Sequence, residues 1–159
     1  PLTTHQSGGP WIIEINPRSI GGLCSRVLRF GTGLSLEELI IRHALDGDYD
    51  PPTRENQPAG VMMIPIPRAG VLTEVRGLDE ARTVDGIEHV TISARLGHEL
   101  VPLPEGALYL GFIFARAASP EAVELALRAS HGRLEFFIRP QERKVVSGSR
   151  RIARVSAGL

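Results

Sequence analysis

Apolar and polar positions change their rhythm near residue 60 of this 159-residue chain. Residues 11–15 (Trp-Ile-Ile-Glu-Ile) are β-branched or aromatic with a single charge, which predicts a buried strand. Pro17 ends it by removing a ladder donor. Leu2 and Thr3 are placed to pair with it across a turn at Ser7-Gly8-Gly9-Pro10. Gly21, Gly22, Gly31 and Gly33 bracket residues 23–30 and predict a short helix between glycine hinges. Next comes the best-marked helix. Ser35 and Glu38 form an S-x-x-E capping box, and Leu34 and Leu39 hold staple positions. Leu36, Leu39, Ile40 and Ala44 share one face, and Gly47 stops the helix.

Residues 48–59 are polar and proline-rich and read as a linker. The aspartates at 46, 48 and 50 lack the later glutamate of a calcium-binding EF-hand loop. From residue 60 short strands take over. Residues 61–67 and 70–75 predict a hairpin around Pro67-Arg68-Ala69-Gly70. Residues 78–83 form a helical turn or two. Residues 87–94 alternate, with Val90, Ile92 and Ala94 on one face, and 97–104 form a turn and short strand. The continuous apolar run 109–115 is a central strand. Ser119-Pro120-Glu121 opens a second helix with an N-cap serine, proline at the first helical position and an acid at the positive end of the dipole. It runs to about Ser130 with Val123, Leu127 and Ser130 inward, and Gly132 stops it. Residues 134–138 are the last strand, before Pro140. Leaving aside the short strand in 97–104, the order β-β-α-β-β-α-β, mostly antiparallel with helices on one side, is an α+β layer.

Hydrophobic content of 42% and charged content of 23% fit an ordinary globular protein. No apolar run reaches the roughly 18 residues of a membrane span, and no signal-peptide pattern opens the chain. The single cysteine, Cys24, forms no internal disulfide, which makes a reducing cytoplasm the default. The net charge of zero hides an asymmetry. Residues 139–159 carry a net +5 and the first 138 a net −5. A basic end invites nucleic acid, but no aromatic is interleaved for stacking, so a solvated, disordered tail is the expectation. Lys144, in that tail, is the only lysine. Lysines that hold ATP phosphates would have to come from outside this sequence.

The chemistry concentrates at Glu14-Ile15-Asn16-Pro17-Arg18. On a strand, residues two apart point the same way, so Glu14 and Asn16 bring their oxygens to one site. Hard divalent cations such as Mg²⁺ take oxygen ligands from one or two carboxylates plus substrate phosphates. Arg18 offers a fork of donors for phosphate or carboxylate. Gly21 and Gly22 expose backbone N–H groups to an anion. The plainer alternative is a strand-end Glu-x-Asn that bonds to a turn. Elsewhere, Cys24 lacks an evident catalytic partner and reads as a small buried residue. His43 reads as structural, and His5, His89, His98 and His131 lack metal-ligand spacing. Met62 and Met63 read as core. Arg68 and Arg116 flank strand ends where they could reach a substrate.

The run E-I-N-P-R-x-x-G-G, followed by a helix and by G-x-G-L-S-L-E-E-L, resembles the C-terminal end of the ATP-grasp superfamily. Residues 109–124 are similar to a strand and helix in the C-terminal module of its L-amino-acid-ligase and biotin-carboxylase-like branches. The resemblance covers about residues 9–138. It implies that Glu14 and Asn16 ligate Mg²⁺ or Mn²⁺ on the phosphates of ATP, and that Arg18 stabilises an acyl-phosphate step or grips the acceptor. It implies an ATP-dependent ligase joining a carboxylate, or bicarbonate, to an amine or thiol. On that reading residues 1–47 are the C-terminal edge of an ATP-grasp domain, 48–59 the linker, 60–138 a small mainly antiparallel α+β module and 139–159 the tail.

The departures are as informative. The phosphate-holding lysines, the adenine clamp and a further carboxylate about a dozen residues before Glu14 are missing. The expectation is a C-terminal fragment, inactive alone, whose partners are the N-terminal ATP-grasp lobes and a small carboxylic or amino acid, with homodimerisation open and no role for membrane or nucleic acid. The alternative from another class is a non-catalytic α+β module for ligand binding or oligomerisation, docking through an exposed sheet edge.

Overall fold

A computed structural model describes residues 2–5, 9–15, 19–21, 23–31, 33–46 and 52–140. Two antiparallel three-stranded sheets close on one core in the second half of the chain. The first holds β3 (Ala59–Ile64), β5 (Ile87–Ile92) and β7 (Gly111–Arg116), with β7 in the middle. The second holds β4 (Gly70–Arg76), β6 (Glu99–Leu100) and β8 (Glu135–Arg139), with β4 in the middle. Helices α2 (Leu78–Arg82) and α3 (Pro120–His131) complete the module. The continuous apolar run predicted a central strand, and β7 is one: Gly111 to Ala115 are all buried.

Strand alternation divides the side chains of β7 between two faces. Ile113 and Ala115 join Ile64, Leu72, Val90, Leu110 and Ile138 in the main core, under Val123, Ala126 and Leu127 of α3. Gly60 marks the closest approach, since a Cβ there would lie 2.8 Å from Val123 Cγ1. Phe112 and Phe114 are buried on the other face, outside that cluster. The cap of α3 is as expected: Ala122 N–H donates to Ser119 Oγ at 3.2 Å. Val123, Leu127 and Ser130 are buried.

The first half is more open. β1 (Leu2–His5) pairs antiparallel with β2 (Gly9–Ile12), and Leu2 faces Ile12 as expected. A 3₁₀ turn (Cys24–Val27) and α1 (Leu36–Asp46) follow. Glu38 N–H donates to Ser35 Oγ at 3.1 Å, so Ser35 caps α1 where the sequence places it, while the Glu38 carboxylate pairs with Arg42 at 2.7 Å instead of closing the capping box.

Several expectations are corrected. Residues 61–67 and 70–75 do not form a hairpin. β3 pairs with β7 and β4 with β6 and β8, in different sheets. Pro65 and Pro67 have no ladder donor to offer between them, and the chain crosses from one sheet to the other there. Strand β2 stops at Ile12, and Ile12, Ile13 and Ile15 are 60–78% exposed, because no described element packs on them. Residues 23–30 give one 3₁₀ turn, since Arg29 to Gly31 leave helical geometry to pair with residues 53–55. Ile40 and Ala44 of α1 are exposed for the same reason as the isoleucines of β2. Met63 is 38% exposed while Met62 packs on the core. The stop at Gly47 and the tail beyond Pro140 lie outside the described residues. No helix among the described residues is long and apolar enough to cross a membrane.

Candidate functional site

The expected metal–phosphate site begins where β2 ends. Glu14 lies in the extended stretch 13–15, exposed to solvent. Gly21 sits in the turn that leads into the 3₁₀ segment, its carbonyl accepting from Cys24 N–H at 3.3 Å. Asn16, Arg18 and Gly22 lie outside the described residues. Among the described residues no group of three or more His, Cys, Asp or Glu is assembled to hold a metal. The donors Glu14 and Asn16 suit an oxygen-preferring cation in kind.

Downstream of that stretch, the chain is tied to α1 and to residues 53–55. Leu23, at φ 57°, turns the backbone into the 3₁₀ segment. Ser25 is buried and its hydroxyl donates to the Glu37 carboxylate in the first turn of α1. That hydrogen bond, then the backbone amide of Glu37, hold the carboxyl below its ordinary range. Arg26 and Arg29 add smaller contributions, against the opposing effect of burial. Gly31 N–H donates to Thr53 O and Glu55 N–H to Arg29 O, each at 2.9 Å.

Arg116 is the knot. Its side chain is 12% exposed at the end of β7. Nε meets Glu88 Oε1 at 2.8 Å, Nη1 lies 3.8 Å from Glu55 Oε2, and Nη2 donates to Val27 O at 3.2 Å. Three segments far apart in sequence therefore meet on one guanidinium. Arg68, the other arginine that the sequence placed at a strand end, donates from Nη2 to Ile138 O at 2.8 Å and braces β8.

Two cavities lie at opposite ends of β7, one beside this junction and one remote from it. A cleft of about 360 Å³ is lined by Arg26, Arg29, Glu88, His89 and Phe114. A larger cavity of about 530 Å³ opens where β5 ends and β7 is about to begin, over Ile66, Ala94, Leu100 and Tyr109, with His98 and Arg95 at its wall. Neither was legible in the sequence, because each gathers single residues from separate segments without a spacing motif.

Residues 62–139 match the family model described as L-amino acid ligase C-terminal domain 2. Over those residues, just under half of the chain, the sequence is similar to that domain. The crystal structure of L-amino acid ligase from Bacillus licheniformis has the same fold at a TM-score of 0.69 and 26% identity, over 87% of this chain and 35% of that one. An uncharacterized protein of Sinorhizobium fredii, y4rH, is 23% identical over 132 residues, which are 83% of this chain and 28% of that protein. The chain thus spans about a third of the solved ligase and less of the curated relative. The domain match and the shared fold support a C-terminal ATP-grasp-type region, and the expected α+β architecture holds.

Proposed function

We propose that this chain supplies the metal-binding edge and the C-terminal module of an ATP-grasp ligase that joins a carboxylate to an amine through an acyl phosphate. The observation that carries the reading is the ligase fold over 87% of the chain, which extends well upstream of the matched domain at 62–139. Glu14 and Asn16 would hold Mg²⁺ or Mn²⁺ on the phosphates of ATP, a group that supplies charge neutralisation for phosphoryl transfer. Arg18 presents paired donors to the acyl phosphate or to the acceptor carboxylate. Gly21 and Gly22 let backbone amides approach a phosphate without a Cβ between. A small carboxylic or amino acid is the substrate class, and a reducing cytoplasm suits the lone Cys24.

Two features support a need for further lobes. Lys144 is the only lysine. Ile12, Ile13, Ile15, Ile41 and Leu45 are 59–78% exposed, apolar side chains that the lobes of a ligase would cover. The 530 Å³ cavity favours a second reading, a module that binds a small molecule without turnover.

The test is phosphate release from ATP with L-amino acids, measured for the 159-residue chain alone and for the chain joined to a lysine-bearing ATP lobe. The chain alone is expected to be silent and the joined protein active. Glu14→Gln then lowers the joined rate by about 100-fold or more, since disturbing mere supports of metal ligands costs 10–100-fold. Turnover by the chain alone would overturn the requirement for lobes. Silence of a folded joined protein would overturn the ligase reading in favour of the binding module.

A further inference from the structure

The 360 Å³ cleft collects guanidinium donors that the fold does not use. A guanidinium carries five N–H donors. Those of Arg26 donate no hydrogen bond among the described residues, and Cζ of Arg26 stands 6.0 Å over the Phe114 ring. Arg29 spends only Nη1, on the carbonyls of Arg26 at 2.5 Å and Leu28 at 3.0 Å, which leaves Nε and Nη2. Both side chains line the same cleft, with Phe114 and His89 opposite and the ring centroids of those two 6.2 Å apart.

Carboxylates also face this region, and each has its own partner. Glu88 is held by Arg116 at 2.8 Å, and Arg116 reaches Glu55 as well. Glu37 accepts from Ser25 and lies within electrostatic range of both lining arginines. His89 Nε2 is 2.6 Å from Thr91 Oγ1. The neighbouring carboxylates offset much of the charge, so what the cleft offers is a set of directed donors more than a strong field. Forked donors of this kind pair best with a planar two-oxygen acceptor.

We propose that this cleft binds a small carboxylate, its two oxygens on the unused donors of Arg26 and Arg29 and its carbon end against Phe114. The cleft's own geometry carries this, whether or not the chain works in a ligase. The volume suits a molecule of the size of a short organic acid, and the aromatic wall gives its apolar end a place out of water.

Nuclear magnetic resonance titration of the 159-residue chain tests it, with sodium acetate, sodium phosphate and sodium chloride at equal ionic strength, following the amides of Arg29, His89 and Phe114. The expected result is a saturable shift of these three signals with acetate, weaker with phosphate and absent with chloride. The double variant Arg26→Gln/Arg29→Gln should raise the apparent Kd at least tenfold. Arg29→Lys, which keeps the charge and loses the fork, should give an intermediate value and guards against a folding failure of the double variant. Exposed Arg42→Gln on α1 should change nothing. Equal shifts with chloride, tighter binding of phosphate than acetate, or an acetate Kd unchanged in folded Arg29→Lys and Arg26→Gln/Arg29→Gln would each overturn the proposal.

Discussion

Ser130 is fully buried, and its hydroxyl donates to Ala81 O at 2.9 Å, joining α3 to α2. Ser130→Ala strands that carbonyl away from water, a loss of about 1–2 kcal/mol that urea denaturation will read as a lower midpoint at unchanged slope. Two glycines make a sharper comparison, because both sit at positive φ and only one is crowded. Gly77 has φ 76°, and a Cβ there would fall 1.8 Å from Arg133 O. Gly97 has φ 80° with nothing within 4 Å. Alanine at 97 therefore meets only the left-handed penalty of about 1–2 kcal/mol. Alanine at 77 must also push apart the turn before β8, and should cost at least about 2 kcal/mol more. Equal denaturation midpoints for Gly77→Ala and Gly97→Ala would refute that crowding. Sequence alone showed neither effect, since a positive φ and a neighbouring carbonyl are tertiary facts.

The elements that were legible are those whose causes are local. Ser35 and Ser119 announce helix starts because the accepting hydroxyl and the donating amide are three residues apart. The run 109–115 announces a central strand because a strand buried on both faces carries no polar alternation. What failed depended on remote partners: β3 and β4 adjoin in sequence yet pair with β7 and β8, and the isoleucines of 11–15 are apolar yet exposed. Glu37 shows how a residue in the first turn of a locally specified helix acquires a remote partner. Ser25 lowers its pKa, so the carboxylate contributes stability that is present above the ordinary carboxylate range and lost as pH falls through the depressed folded value. A carboxyl titration should thus place Glu37 below its ordinary 4.5. In Ser25→Ala the midpoint should rise toward that value and the acid-dependent loss of α1 docking should flatten. A Glu37 titration indifferent to Ser25→Ala would mean that the hydroxyl is not what holds it.

At the scale of the molecule, the expected site was legible as a motif and illegible as a place. Glu14 and Gly21 can be located, while Asn16, Arg18 and Gly22 lie outside the described residues, so the E-x-N-x-R spacing still carries that site. The contact that holds the halves together carried no such signal. Arg116 read as an arginine at a strand end, and it joins Val27, Glu55 and Glu88. Charge-assisted hydrogen bonds of this sort contribute about 1.5–3 kcal/mol, and every 1.4 kcal/mol is tenfold in an opening equilibrium. Arg116→Gln should therefore raise the population in which the 3₁₀ turn and α1 come away from the module by about ten- to a hundredfold. Proteolysis in the fast-exchange regime tracks that population. Cleavage within residues 23–46 should accelerate accordingly, while residues 59–139, held by two sheets and α3, persist as a protected core. Arg82→Gln is the matched control, because its 3.2 Å pair with Asp79 is exposed and such surface pairs contribute at most about 1 kcal/mol. If Arg116→Gln is cut no faster than Arg82→Gln, the first half is held by its backbone hydrogen bonds at 29–31 and 53–55, and the guanidinium is incidental to the join.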